Sequence, residues 1–339
     1  MDNNRIYKIA VVMSTYNGEK FIAEQLDSIL NQNVSYNISL KILVRDDCST
    51  DRTLEIISKY LEKDSRVEII GNSSVNLGVK ASFFELLKHA VNYDLVFFSD
   101  QDDVWEKDKI NTFLNEAIKK NVIDSELPIG IYSDAWIADE KAHSIGEKMS
   151  SRYDWNEEKA DYKFLSFNYQ IVGATYAINK ASVLLANVVP NSWIDSLNMH
   201  DSFIGLINAV YGRNYLIDEP LVLYRQHGNN LVGAGGKRKS INKKITQAVD
   251  TIYQLIHDDL MIYKFLNIHG PQLLSQNEYI ERVSFFKQYV ILAREKHSKK
   301  SEIISKIKPY IWKKHYIFAI LMLNLLNFKS KEQMEWDMF

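Results

Sequence analysis

The sequence predicts an α/β fold, a mainly parallel central sheet flanked by helices, followed by a mostly helical C-terminal extension. Three observations carry this expectation. From residue 8 onward, short apolar runs rich in Val and Ile alternate with amphipathic stretches of helical length. Polar and acidic residues follow the apolar runs directly. After about Gly236 the alternation gives way to helical, basic sequence.

The first run, KIAVVMS, is a buried strand that Asn17-Gly18 ends. EKFIAEQLDSILNQ then places Phe21, Ile22, Gln25, Leu26, Ile29 and Leu30 on one helical face. LKILV is the second strand, and Ser49, Thr50 and Asp51 offer N-caps ahead of RTLEIISKYLEK. VEII is the third strand. A turn at Asn76-Leu77-Gly78 leads into the helix VKASFFELLKHAV, and DLVFFS is the fourth strand. From about residue 129 the pattern is mixed. IGIYSDAWIAD and YQIVGATYAI read as strands, and YLIDEPLVLYRQHG as two short strands joined at Glu219-Pro220. Gly233, Gly235 and Gly236 beside a charged run place a soft boundary at 231–245, dividing a catalytic unit, 1–235, from a helical unit, 236–339.

Strand–helix alternation implies right-handed crossovers, and such sheets bind ligands at the carboxyl ends of their strands. The polar residues fall at those ends: Ser14 to Asn17 after the first strand, Asp46-Asp47 after the second, Asp100 to Asp103 after the fourth. This convergence predicts a site from topology alone.

Of 339 residues, 46% are hydrophobic and 25% charged, as in a folded globular chain. One cysteine, Cys48, excludes an internal disulfide and a cysteine-based zinc cluster. The N-terminus has no secretory pattern, and no stretch reaches the ~18 uninterrupted apolar residues of a spanning helix. The expectation is a protein kept in the cytoplasm. Residues 231–339 hold 18 Lys and Arg against 10 Asp and Glu, while the rest hold 23 against 33. The basic tail, with PYIWKKHYIFAILMLNLLNF, reads either as an amphipathic helix on the inner face of the plasma membrane or as a packed helix, including one in a homodimer interface. Nucleic acid is not an expected partner.

SDQDD, Ser99 to Asp103, carries the strongest chemical signal. Carboxylates this close repel one another, and a hard divalent cation relieves that cost. Mg2+ or Mn2+ bridging a diphosphate is the expected occupant. The first strand lacks G-x-G-x-x-G, and no G-x-x-x-x-G-K-[ST] is present, which disfavours nicotinamide, flavin and P-loop chemistry. What remains is a nucleotide held by hydroxyls, an aromatic face and carboxylates. Tyr16 is placed to stack on a base and Asp47 to accept an N3–H. In NMHDSFIGLINAV, Asp201 lies near a helix start, a suitable general base or simply a helix cap. YRQHGNN offers Arg225 to phosphate and His227 to metal, or an ordinary hydrogen-bonded histidine.

The ordered set STYNGEKF, RDDCSTDRT, N-x-G, SDQDD, IVGATYAI, HDSF and YRQHGNN resembles glycosyltransferase family two, with its GT-A fold. It spans residues 6–230, and DQDDVW and RQHGNNLVG are similar to bacterial rhamnosyltransferases of cell-wall or capsular polysaccharide synthesis. The resemblance implies that Ser14, Tyr16 and Asp47 bind the base, with Asn76 in the same nucleotide-sugar set. It implies Asp100 near the ribose, Asp102 and His227 on the metal, and Asp201 as catalytic base, in an HD pair where relatives carry ED. The Q-x-x-R-W motif of processive synthases is absent, since RQHGN stands there. The implied reaction is an inverting transfer, with dTDP-L-rhamnose as donor and a polysaccharide or lipid-linked saccharide hydroxyl as acceptor. A UDP-hexose donor, a sugar nucleotidyltransferase and a non-catalytic sugar-nucleotide-binding protein are the alternatives. The nucleotidyltransferase would resemble a Gly-rich N-terminal loop with a basic residue, which this chain lacks.

Overall fold

The computed structural model describes residues 5–71, 75–153, 155, 160–168, 170–227, 241–294, 305 and 308–310. The chain divides into two compact units. One comprises Met1–Leu165 with Tyr169–Arg238, the other Ser166–Asn168 with Lys239–Phe339.

The first unit begins β1 (Tyr7–Thr15), α1 (Ile22–Leu30), β2 (Ile38–Asp46), α2 (Thr53–Lys63), β3 (Val67–Ile69), α3 (Gly78–His89), β4 (Leu95–Ser99). This is the alternation read from the sequence. It continues with β5 (Val104–Trp105), α4 (Lys109–Lys119), β6 (Ile129–Ala138), β7 (Ser144–Lys148), α5 (Met149–Tyr153) and α6 (Tyr162–Leu165). β8 (Tyr176–Asn179), α7 (Lys180–Ala186), α8 (Asn191–Ile194), α9 (His200–Tyr211) and β9 (Arg213–Arg225) complete it. The sheet order is β3-β2-β1-β4-β8-β6-β9-β5, with β7 on β6. β3, β2, β1 and β4 pair in parallel. β8 is antiparallel to both β4 and β6, so β6 again runs with β4, and β9 runs with β6. The carboxyl ends of β1, β2, β4, β6 and β9 therefore share one edge.

β1 and β4 are the spine. Ile9 to Met13 and Leu95 to Phe98 are 0% exposed, as expected of parallel strands covered on both faces. α3 packs on β1 and β2, and α9 on β6 and β9. Each fully buried Leu, Ile or Phe contributes about 1.5–3 kcal/mol. Gln25 is also buried on α1, where its Nε2 donates to Ser99 Oγ at 2.8 Å and to the Asp100 carbonyl at 3.0 Å. The face that reads as apolar in sequence thus carries one polar tie to the end of β4.

Two strand expectations are corrected. YLIDEPLVLYR is one strand rather than two, because the register on β6 jumps from Ile217 to Pro220 between neighbouring positions of β6. The extra residues form a bulge, the place where a proline without an N–H is tolerated inside a sheet. YQIVGATYAI is strand only from Tyr176. Gly173–Thr175 is a short 3-10 turn closed by Thr175 N–H on the Val172 carbonyl at 2.9 Å.

In the second unit, α10 (Ile241–Leu273) and α11 (Gln276–Arg294) form an antiparallel pair. None of the described helices is long and apolar enough to cross a membrane. Residues 228–240, which hold most of the boundary and the end of YRQHGNN, and the apolar tail beyond Tyr310 lie outside the described residues.

Candidate active site

Four loops meet at the common strand edge. The loop after β1 turns at Asn17, φ +49°, a conformation that asparagine tolerates. It leaves Tyr16 half-exposed and Ser14 partly buried at the end of β1. Gln101 fastens this loop to the acidic one. Its Oε1 accepts from Tyr16 N–H and its Nε2 donates to the Tyr16 carbonyl, both at 2.9 Å. Gly18 leaves room for that amide, since a Cβ there would fall inside van der Waals contact of Gln101 Oε1.

The second loop centres on Asp47, buried beside Arg45. Its Oδ1 accepts from Arg45 at 2.5 Å and from Leu77 N–H at 2.7 Å, and its Oδ2 accepts from Gly78 N–H at 2.8 Å. Burial pushes its pKa up, but the Arg45 bond and the two amides outweigh that, leaving it below the usual carboxylate value. Asn76 donates to the Asp47 carbonyl at 2.8 Å. One lone-pair direction on Asp47 Oδ2 is left by these contacts.

The third loop is acidic. Burial raises the pKa of Asp100 to about 7, helped by the charges of Asp102 and Asp201 and opposed by Lys109. Asp103 is raised well above the ordinary value by burial and by Asp102 and Asp100. Its Oδ1 accepts from Arg225 N–H at 2.9 Å, and its buried Oδ2 has no hydrogen-bond partner among the described residues. Asp102 is partly exposed, and its Oδ2 lies 2.7 Å from His227 Nε2. The His227 ring stands 4.8 Å from the Phe21 ring. A groove of about 580 Å³, lined by Phe21 and by Asp139, Glu140, Lys141 and His143 of the β6–β7 turn, opens beside it.

Arg225 corrects the sequence expectation of a phosphate contact. Its guanidinium is 1% exposed. It donates to the Asp102 carbonyl at 2.5 Å, to the Glu140 carbonyl at 2.6 Å and to Glu24 Oε2 at 2.6 Å, and its carbon lies 4.7 Å from the Phe21 ring centre. The side chain holds three segments together and presents no free face to a ligand.

The fourth component is Asp201, 9% exposed at the start of α9. Its Oδ1 accepts from Ser202 N–H at 2.7 Å and its Oδ2 from Gly173 N–H at 2.6 Å. The preceding His200 is buried and stacked on Phe83 at 4.0 Å, with neither ring nitrogen hydrogen-bonded among the described residues. Burial lowers its pKa against the pull of Asp201. Asp201 shares an electrostatic neighbourhood with Asp100.

Residues 10–184 match the family model for glycosyl transferase family 2. This chain belongs to glycosyl transferase family 2. It is 32% identical over 240 residues to a dTDP-rhamnosyl transferase, RfbG of Shigella flexneri, covering 69% of this chain and 78% of that protein. Among solved structures, S. aureus TarS 1-349 in complex with UDP superposes with a TM-score of 0.53 at 17% identity, covering 96% of this chain and 90% of that one. The mannosyltransferase PcManGT from Pyrobaculum calidifontis, in complex with GDP-Man and Mn2+, superposes at 0.53 and 15% identity, covering 100% and 90%. The fold of this glycosyltransferase is GT-A.

The acidic loop offers a cation a partial set of ligands. Among the described residues no cluster of three His, Cys, Asp or Glu side chains is arranged to hold a metal alone. Asp102 and His227 nonetheless converge within hydrogen-bond distance, and the unpartnered Asp103 Oδ2 lies in the same loop. Two protein donors with the remainder from diphosphate and water suit Mg2+ or Mn2+, so the residues fit the group. Sequence reasoning missed Gln25, Gln101, Gly173 and Lys109. Gln101 sat unread inside SDQDD, and Gly173 inside IVGATYAI.

Proposed function

We propose that the protein is an inverting, metal-dependent glycosyltransferase that moves L-rhamnose from dTDP-L-rhamnose to a hydroxyl of a growing cell-wall or capsular polysaccharide or its lipid-linked precursor. The observation that supports the chemistry best is the placing of Asp201 beside the acidic loop, its carboxylate oriented by Gly173 and Ser202 N–H. The donor assignment is supported by the likeness to RfbG. The UDP complex of TarS favours a UDP-hexose as the second reading.

In this reading Ser14, the Tyr16 ring, Asp47 and Asn76 take the nucleoside, and Asp100 the ribose. Asp102 and His227 would hold Mg2+ or Mn2+. When bound, that ion neutralises charge developing on the departing diphosphate. Asp201 accepts the acceptor hydroxyl proton as the oxygen forms its bond to the anomeric carbon and the bond to the diphosphate oxygen breaks. Displacement from the opposite face inverts the configuration. Arg225 acts on this site by holding the Asp102 carbonyl and the β6–β7 turn.

The basic region beyond residue 236 is assigned to peripheral membrane contact or to a homodimer contact, and catalysis to the inner face of the plasma membrane. Vesicle co-sedimentation against a chain ending at residue 308 decides the first part, and equal binding removes it. The test of function is a thermal-shift screen of nucleotide sugars with Mn2+, where a donor at 100 times its Kd adds about 2.7 kcal/mol. It is followed by transfer assays of wild type and Asp201→Asn. No stabilisation by any nucleotide sugar would remove the reading.

A further inference from the structure

Lys109, the first residue of α4, is fully buried. Its Nζ lies 3.7 Å from the centre of the Trp105 ring and donates to the Ala174 carbonyl at 2.7 Å. Removing an ammonium from water costs several kcal/mol, which a cation–π contact and one carbonyl offset only in part. The charges of Asp103 and Asp100 work in the same favourable direction, against the burial that lowers its pKa. The carbonyl it holds belongs to the Gly173–Thr175 turn. One residue earlier in that turn, Gly173 N–H donates to Asp201 Oδ2 at 2.6 Å. The turn is tight, with Thr175 N–H and Thr175 Oγ1 both on the Val172 carbonyl at 2.9 Å.

We propose that Lys109 is a positioning residue for the Asp201 carboxylate, acting through the Gly173–Thr175 turn and setting that carboxylate from the same segment that carries the acidic loop. The proposal rests on Asp201 as the base. Asp103 to Trp105 lead directly from the acidic loop into α4, so α4 begins with the residue that fixes the turn. Displacement of the turn by a fraction of an ångström moves the Gly173 N–H and turns the carboxylate away from the acceptor oxygen. Losses of orientation on this scale reduce chemistry by one to two orders of magnitude while leaving substrate binding intact.

The test is a double-mutant cycle on the full chain with donor, acceptor and metal. Lys109→Met removes the carbonyl's donor at similar volume. Gly173→Ala works from the other end of the turn, where the added Cβ would meet Asp201 Oδ2 and His200 Nε2 at 3.3 Å. Each is expected to lower kcat at least about tenfold with donor KM within about twofold. The double variant is expected to be no slower than the slower single, and neither change should slow Asp201→Asn further. Wild-type kcat in either variant, additive losses, or a parallel fall in donor affinity would overturn the proposal. If Lys109→Met does not fold, Lys109→Gln, one bond shorter and without charge, takes its place in every arm with the same criteria. Full transfer by Asp201→Asn sinks the base assignment itself, whereas an inactive Asp201→Asn beside a normal Lys109→Met sinks only the positioning role.

Discussion

Asp102 Oδ2 and His227 Nε2 are 2.7 Å apart although 125 residues separate them in the chain. The contact closes the sheet edge, because β9 carries His227 from the β6 side to the loop that follows β4. In the proposed reading these two groups would hold the metal ion of the donor diphosphate. Asp102→Ala is therefore expected to abolish Mn2+-dependent donor binding, and His227→Ala to weaken it at least tenfold, about 1.4 kcal/mol. Titration calorimetry with and without metal reads both. Unchanged affinity in the presence of metal would contradict the assignment.

Arg225 predicts a stability effect rather than a binding effect. Arg225→Met leaves the Asp102 and Glu140 carbonyls and Glu24 without their buried partner, at a cost of about 3 kcal/mol. Arg225→Lys is expected to recover little of this, because one ammonium cannot serve three diverging acceptors as a planar fork does. Guanidinium chloride unfolding measures it. A variant of native stability with weakened diphosphate affinity would restore the phosphate role.

Gly18→Ala and Gln101→Ala should act alike. Either one breaks the paired bonds between the Gln101 amide and the Tyr16 backbone. Donor Kd is expected to rise several-fold in each, with no further rise when they are combined. Independent, additive effects would separate the two residues.

Asp47 fixes a pH dependence. Its native pKa lies below the unfolded value, so its contribution to stability is present above about pH 4 and is lost as pH falls through the native value. The stability gap between wild type and Asp47→Asn should be largest near pH 7 and shrink below about pH 4. Denaturant titrations at pH 7 and pH 3 give the two points, and a constant gap would exclude the ionised Arg45–Asp47 pair as its source.

By itself the sequence determined the alternation from β1 to β4, since apolar runs and helical faces of that length have few other ways to be buried. It also pointed to one sheet edge for the candidate site, because SDQDD, RDD and STYN each follow an apolar run. Asp201 was legible as a carboxylate at a helix start. Only the tertiary structure decided what these groups touch. Arg225 read as a phosphate contact and is held as a buried tie, because the value of a guanidinium depends on which carbonyls other segments bring to it. Pro220 read as a break and sits in a bulge, because register with β6 is a property of two strands 80 or more residues apart. Gln101 acts through two hydrogen bonds to the Tyr16 backbone, Lys109 through one to the Ala174 carbonyl and Gly173 through one to the Asp201 carboxylate, and local pattern carries no trace of a partner that only folding supplies.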